Sequence, residues 1–282
     1  MSGKLYLCAT PIGNLEDITF RVLRVLREAD LIAAEDTRHS IKLLNHFDIK
    51  TPMTSYHEYN KVEKAAYLVD KMREGLSVAL ITDAGTPGIS DPGEELVRQC
   101  AAAGIEVTSL PGPAACVTAL SMSGLPTRRF CFEAFLPSER SDKKERQRIL
   151  EELKRETRTI ILYEAPHHLL GTLRDLRETL GGDRPAALCR ELTKKYESVL
   201  RATLEEAISV LEKEEIRGEW VIVLEGRHPE EIRREEEKAW EKMSLEEHME
   251  YYVSQGQDRK EAMRSVAKDR GISRSYVYRQ LL

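Results

Sequence analysis

The chain is 282 residues long with a net charge of −5, 41% hydrophobic and 32% charged residues, a balance that leaves room for two compact domains and a small appendage. No apolar run reaches the roughly 20 residues of a membrane span, and Met1-Ser2-Gly3-Lys4 leads straight into a strand-like segment, so neither an anchor nor a secretory leader is expected. The five cysteines, Cys8, Cys100, Cys116, Cys131 and Cys189, are scattered through apolar contexts without a CxxC pair, which predicts reduced core thiols in a cytoplasmic protein and no metal site. With a negative global charge, a polyanionic partner would have to be met by local basic patches.

In chain order, Lys4 to Ala9 reads as a first strand, closed by Thr10-Pro11-Ile12-Gly13-Asn14. Residues 18–29 give an amphipathic helix with Val22, Leu23, Val25, Leu26 and Ala29 apolar among arginines. Leu31 to Ala34 is a second strand, ending in Glu35-Asp36-Thr37-Arg38, and a second helix runs to about Phe47. A short extended piece surrounds Thr54-Ser55-Tyr56-His57, and a helix from about Val62 to Arg73 carries Ala66, Leu68, Val69 and Met72. Val78 to Thr82 is a buried strand, followed by Asp83 to Gly93, eleven residues with three glycines and two prolines. That stretch can continue neither strand nor helix. It is longer than a tight turn needs and reads as a ligand loop with Asp83, Thr86, Ser90 and Asp91 as polar contacts.

A helix from Glu94 to Ala103 and a strand from Ile105 to Leu110 lead to Pro111-Gly112-Pro113-Ala114-Ala115 and a small-residue helix ending at Gly124. Strands alternating with helices predict a mainly parallel sheet covered by helices. Ligands bind such sheets outside the carboxyl ends of the strands, and four strand ends here carry Gly, Pro or acidic residues: 10–14, 35–38, 83–93 and 111–115. One shared cleft is the expectation.

The second half alternates again, with more antiparallel character: strands over Phe130 to Leu136, Thr159 to Tyr163 and Trp220 to Leu224, and two runs, Ala186 to Leu192 and Glu197 to Ala202, placed to pair antiparallel. Arg190 to Glu197 reads as a solvated hairpin tip. Residues 139–148 hold five basic and three acidic side chains. Residues 227–247 are dominated by charge and form either a solvated helix or a linker. Residues 258–282 change sign, with seven basic and three acidic groups, and read as helix, glycine turn, helix, exposing Arg274, Tyr276 or Tyr278, and Arg279. The predicted organisation is an N-terminal α/β domain over 1–118, a second over 119–228, and a charged segment with a helical module over 229–282.

No GxGxxG, P-loop, HExxH or GxSxG is present. Taken together, Thr10 to Leu15, Glu35 to Arg38, the 83–93 loop, Pro111-Gly112-Pro113, Tyr163-Glu164 and Arg190 to Lys194 resemble the ribosomal RNA branch of the tetrapyrrole methylase superfamily. Pro11-Ile12-Gly13-Asn14 and Asp83-Ala84-Gly85-Thr86 stand where the precorrin branch more often shows other elements, which points toward RNA. The resemblance implies a two-domain α/β fold with S-adenosylmethionine between the domains, a homodimer, and 2'-O-methylation of a cytidine in the decoding region of small-subunit (16S) rRNA. Methylation of a precorrin or other small molecule, and a non-enzymatic nucleic-acid adaptor, are the alternatives. Expected around the cofactor are Pro11, Asp83, Gly85, Thr86, Pro87, Ser90, Gly112, Pro113, Ala114, Ala115, Tyr163, Glu164, Ala165, Leu192, Gly218, Glu219 and Trp220. Asp36, His57, Asp83 and Glu164 are candidates for a general base. Arg38, Arg140, Lys143, Lys144, Arg146, Arg148, Arg274 and Arg279 are candidates for RNA contact.

Overall fold

The computed structural model describes residues 3–137 and 142–281. Five short strands, β1 (Lys4–Cys8), β2 (Leu31–Ala34), β3 (Met53–Ser55), β4 (Val78–Ile81) and β5 (Glu106–Leu110), form a parallel sheet in the order β3-β2-β4-β1-β5. The centre of this sheet is covered on both faces, which is why β2 and β4 read as apolar runs and not as alternations. Helices α1 (Phe20–Glu28) and α2 (Thr37–His46) pack Val22, Leu26 and Leu44 against Ile32 and Ile81 on one face. Helices α3 (Lys61–Arg73) and α4 (Gly93–Ala102) pack Leu68, Met72 and Leu96 against Leu5 and Leu80 on the other. Ala65, three residues before Leu68, takes the inward position on α3 that the pattern gave to Ala66, which is exposed. Because every strand is parallel, all five carboxyl ends share one edge of the sheet.

After α5 (Ala115–Ser123), strands β6 (Phe130–Phe135), β7 (Thr159–Glu164), β8 (Pro185–Arg190), β9 (Ser198–Thr203) and β10 (Trp220–Leu224) build a second sheet in the order β6-β7-β10-β8-β9. Only β6 and β7 are parallel; β10 is antiparallel to both neighbours, and β8 and β9 form the expected antiparallel pair. Helix α5 lays Cys116, Ala119 and Leu120 on Ile161, Ala187, Val221 and Val223. The alternate residues Ile160, Leu162, Ile222 and Leu224 are buried on the opposite face. Helices α7 (Leu169–Leu180) and α8 (Leu204–Leu211) pack on one another, and α8 packs on β8 and β9. All five cysteines are buried and none is in a disulfide; burial pushes Cys8 up to about 12 and Cys100 and Cys189 up to about 11, so these three thiols stay protonated at neutral pH.

Helix α6 (Lys143–Leu153) corrects one expectation. Arg146, read as an RNA contact, is 6% exposed and forks to Asp175 Oδ2 at 2.8 Å, the Pro137 carbonyl at 3.0 Å and Thr172 Oγ1 at 3.0 Å. Every arm of the guanidinium is committed to the protein interior, so it is a residue of the fold. A basic run looks alike in sequence whether its members face water or a buried acceptor.

Contacts divide the chain into Met1–Leu150 with Thr159–Glu225, which hold both sheets, and Glu151–Arg158 with Gly226–Leu282. Within the second unit, residues 229–242 are helical: α9 (Pro229–Lys242) starts on a proline at its first turn. Helices α10 (Leu245–Ser254), α11 (Arg259–Asp269) and α12 (Arg274–Gln280) surround a core of Met249, Ala262, Val266, Ala267 and Val277, with Ile272 and Leu281 against it. Gly271, at φ +62°, makes the turn between α11 and α12.

His248 is fully buried in this unit, accepting from Arg270 Nε through Nδ1 at 3.0 Å, 3.5 Å from Asp269 through Nε2, and stacked against Trp240. Burial, and then the Arg270 charge, hold its pKa below the ordinary histidine value of 6.5. The unfolded chain therefore takes up a proton first as pH falls. Stability of α10–α12 is complete above the ordinary histidine range and declines as pH drops through it. Amide exchange in these helices should accelerate on acidification past that point, beyond the change seen in the two sheets; equal protection on both sides would contradict the buried neutral ring.

Candidate active site

Three loops at the carboxyl edge of the first sheet are stitched to one another. Thr10 and Gly85 exchange both backbone hydrogen bonds, at 2.9 and 3.0 Å, in an isolated antiparallel bridge. Thr86 Oγ1 donates to the Pro113 carbonyl at 2.9 Å. Gly112 passes so close to β1 that a Cβ there would lie 2.6 Å from the Ala9 Cβ. The 83–93 loop needs its glycines for conformation too: Gly85 has φ +85° and Gly88 +83°, and Ser90 is held at +64° without being glycine.

Asp91 fixes the shape of that loop from inside. Its carboxylate accepts from the N–H groups of Gly88 at 2.8 Å, Ile89 at 3.2 Å and Gly93 at 2.7 Å. Burial pushes the carboxyl up, and the three amides oppose that. Asp91→Asn would place an amide donor against at least one of these donors, at a cost of about 1–3 kcal/mol. The expected result is a modest loss of thermal stability with markedly faster amide exchange at Gly88, Ile89 and Gly93; unchanged exchange there would show that the carboxylate does not hold the loop.

The second sheet contributes a clasp at the base of the expected hairpin tip, whose Lys195, Tyr196 and Glu197 are exposed. Glu191 Oε1 accepts from the Glu219 N–H at 2.9 Å and from Lys194 Nζ at 3.0 Å, and Lys194 also reaches Glu219 Oε2 at 2.8 Å. Glu191 and Thr193 sit at φ 50° and 65°, and Gly218, at +81°, approaches Glu191 so closely that a Cβ would meet its Cγ at 2.5 Å. Within the charged run Glu191 and Lys194 are internally paired, while its tip stays in solvent. A Cβ on Gly13 would lie 2.4 Å from Lys194 Cγ, so the first loop rests on this clasp. Tyr163 Oη accepts from the Cys116 N–H at 3.0 Å, and its ring meets Phe132 and Phe135 edge-on at 4.8 and 5.5 Å. A bulge at Phe132/Ala134, with Ala134 at φ 53°, gives Phe135 its direction.

These pieces line a cavity of about 440 Å³. Ile12, Ala114, Ala115, Cys116, Phe135 and Leu192 form apolar wall, and Glu35, Asp83, Asp91, Glu164 and Glu219 are the acidic residues of the lining, of which Glu219 is paired with Lys194; no Lys, Arg or His lines it among the described residues. Such a lining repels phosphate and suits a ligand with an apolar body and positive charge.

Residues 4–208 match the family model of Tetrapyrrole (Corrin/Porphyrin) Methylases. The chain belongs to the tetrapyrrole methylase family. Among its relatives, Ribosomal RNA small subunit methyltransferase I of Halalkalibacterium halodurans is 51% identical over 98% of this chain and 93% of that protein. The protein of the same name from Bacillus subtilis is 46% identical over the same shares. In structure the methylase resembles uroporphyrin-III-C-methyltransferase from Thermus thermophilus, with a TM-score of 0.56 and 25% identity over 79% of this chain and 94% of that one.

Of the residues expected around the methylase cofactor, Asp83, Gly85, Thr86, Ser90, Ala114, Ala115, Tyr163, Glu164, Ala165, Leu192, Glu219 and Trp220 line the cavity. Pro11, Pro87, Gly112, Pro113 and Gly218 are not among the lining residues. Cys116, the last residue of the 111–116 loop expected at the cofactor, lines it too, and so do Ile12, Glu35 and Phe135, which were not expected there. Glu35 had a signal, its place in the Glu35-Asp36-Thr37-Arg38 strand end; it accepts from Thr82 Oγ1 at 2.5 Å.

The four base candidates separate cleanly. Asp36 caps α2 and is forked by Arg38, with Oδ1 at 2.8 Å from its N–H and Oδ2 at 2.7 Å from Nη2, which holds the carboxyl far below its usual range; it does not line the cavity. His57 bonds Asn60 and also lies outside the lining. Glu164 is buried, accepting from the Ala165 N–H at 2.8 Å and from Thr172 Oγ1 at 2.5 Å, which in turn receives Arg146. Asp83 lines the cavity, takes one bond from the Asp36 N–H at 3.1 Å, and has its pKa raised by burial and by neighbouring Glu35. Among the basic candidates, Lys143, Lys144, Arg274 and Arg279 are exposed, Arg148 pairs with Glu145 at 2.6 Å, Arg38 keeps 89% of its side chain exposed, and Arg140 lies outside the described residues.

Proposed function

We propose that this methylase uses S-adenosylmethionine to methylate small-subunit ribosomal RNA, at the 2'-hydroxyl of a decoding-region cytidine. The observation that carries the reading is the identity of 51% and 46%, over 98% of the chain, to relatives named for small-subunit rRNA methylation. The motif resemblance supports a homodimeric, cytoplasmic enzyme.

The cavity fits the cofactor on its own terms. Its carboxylates match a sulfonium and an ammonium group, and its apolar wall matches an adenine ring. The Trp220 Nε1 donor in the wall is buried without a hydrogen-bond partner and is a ready contact for a ligand acceptor. Bound adenosylmethionine supplies a methyl group on a sulfonium sulfur. The chain then has to hold a ribose oxygen in line with that methyl, exclude water and receive a proton. The stitched loops with Gly85 and Thr86 supply rigid positioning, which accounts for much of the rate in a displacement of this kind. Asp83 is the carboxylate we assign to the hydroxyl proton: it faces the cavity and its raised pKa brings it nearer to working pH.

Calorimetry with adenosylmethionine, then incubation of labelled cofactor with isolated small subunits and, separately, with uroporphyrinogen, tests the reading. Label on the subunits and none on the tetrapyrrole is expected. The reverse pattern would move the protein to the small-molecule branch.

A further inference from the structure

One face of the first sheet carries charges that nothing in the fold uses. On the α3–α4 side Lys61 pairs with Glu58, Lys71 with Glu74, Arg73 with Asp70 and Arg98 with Glu95, and Lys64 lies over the Tyr67 ring. On the α1–α2 side, Arg21, Arg24 and Lys42 are exposed and, among the described residues, have no ion pair. Phe20 opens α1 at 93% exposure, so it adds nothing to the core, and it shares a helical face with Arg24 four residues on. The last turn of α1 donates from Arg27 Nη2 to the Phe47 carbonyl at the end of α2, at 2.9 Å, so the two helices meet at their ends, and each follows a strand of the parallel sheet and so starts from its carboxyl edge. Both beginnings lie at the edge that carries the cavity: α2 is capped by Asp36, whose N–H donates to the cavity carboxylate Asp83.

We propose that Phe20, Arg21, Arg24 and Lys42 form a docking surface for a single-stranded segment of the RNA substrate, the cations on phosphates and Phe20 stacked on an unpaired base. The inference rests on the RNA reading above. The cavity is lined by carboxylates and repels a polyanion, so RNA needs a positive approach beside it, and this face supplies one next to an aromatic plane. Exposed arginines track a backbone while a ring accepts any base, the combination that suits unpaired RNA.

The test uses the full chain, a labelled single-stranded RNA oligonucleotide and isolated small subunits over a range of KCl concentrations. Neutralising Arg21→Gln, Arg24→Gln and Lys42→Gln together should lower the salt slope of RNA binding by about 2 log units per tenfold salt, at roughly 0.7 per lost contact. Phe20→Ala should weaken binding about 10-fold with the slope unchanged. The control Lys61→Gln, Lys71→Gln, Arg73→Gln should change neither, and melting temperature and adenosylmethionine affinity should hold throughout. An unaltered slope and affinity in the α1–α2 variants, with wild-type protein binding and methylating subunits, would overturn the surface and leave the function standing. A changed oligomeric state with an unaltered slope would overturn it in favour of a contact between copies. Wild-type protein that neither binds nor methylates subunits would remove the function itself, and this inference with it.

Discussion

Gly85→Val should reduce adenosylmethionine affinity on the order of 100-fold, equivalent to roughly 2.7 kcal/mol, while the protein stays folded. At φ +85° a β-branched residue is strained by about 1–3 kcal/mol. A Cβ there would also stand 3.3 Å from Ile12 Cγ2 and 3.5 Å from the Pro113 carbonyl, tight against both neighbouring loops. Relief means moving residue 85 off Thr10, and the two bonds of that bridge are what join the 10–14 loop to the 83–93 loop. Both sheet cores lie elsewhere, so circular dichroism should be unchanged. Calorimetry that finds wild-type affinity would take the 83–93 loop out of the site.

Arg146→Ala should destabilise the protein by about 3–5 kcal/mol, because it strands Asp175 and the Pro137 carbonyl and unhooks Thr172 from its partner. For a chain of this size that is a fall of about 10 °C in melting temperature. Since Thr172 also holds Glu164, the cavity wall should loosen with the fold. Lys143→Gln with Lys144→Gln, on the exposed part of the same helix, should leave the melting temperature alone. An Arg146→Ala protein of normal stability with weakened RNA binding would return this residue to the surface role its sequence context suggests.

The contrast between these two residues shows what is legible in the chain. Gly85 could be read because backbone chemistry is local: eleven residues with three glycines and two prolines between a strand and a helix have few conformations open to them. Of the twelve expected residues that line the cavity, Asp83, Gly85, Thr86, Ser90, Ala114 and Ala115 were legible because the parallel strands of the first sheet bring their ends to a single edge, while the six from the mostly antiparallel second sheet followed from the family resemblance. Arg146 could not be read, because its partners lie 9, 26 and 29 positions away and nothing in a basic run says which member turns inward. Phe135 was hidden for a related reason: a one-residue bulge changes which face a strand residue takes, and no composition signal marks it. The Glu191–Lys194–Glu219 clasp at the base of the solvated tip was hidden, because pairing across the 25 positions from Lys194 to Glu219 leaves no mark on composition.

The most direct measurement follows the methyl group to its atom. Small subunits labelled by this protein with methyl-tritiated adenosylmethionine are stripped to RNA and hydrolysed in alkali. Cleavage at each linkage needs a free 2'-hydroxyl, so a methyl on that oxygen leaves its nucleotide joined to the next. The account predicts label in an alkali-resistant dinucleotide that begins with 2'-O-methylcytidine. Label released as a mononucleotide with a methylated base, or retained only when a tetrapyrrole is supplied, would contradict it.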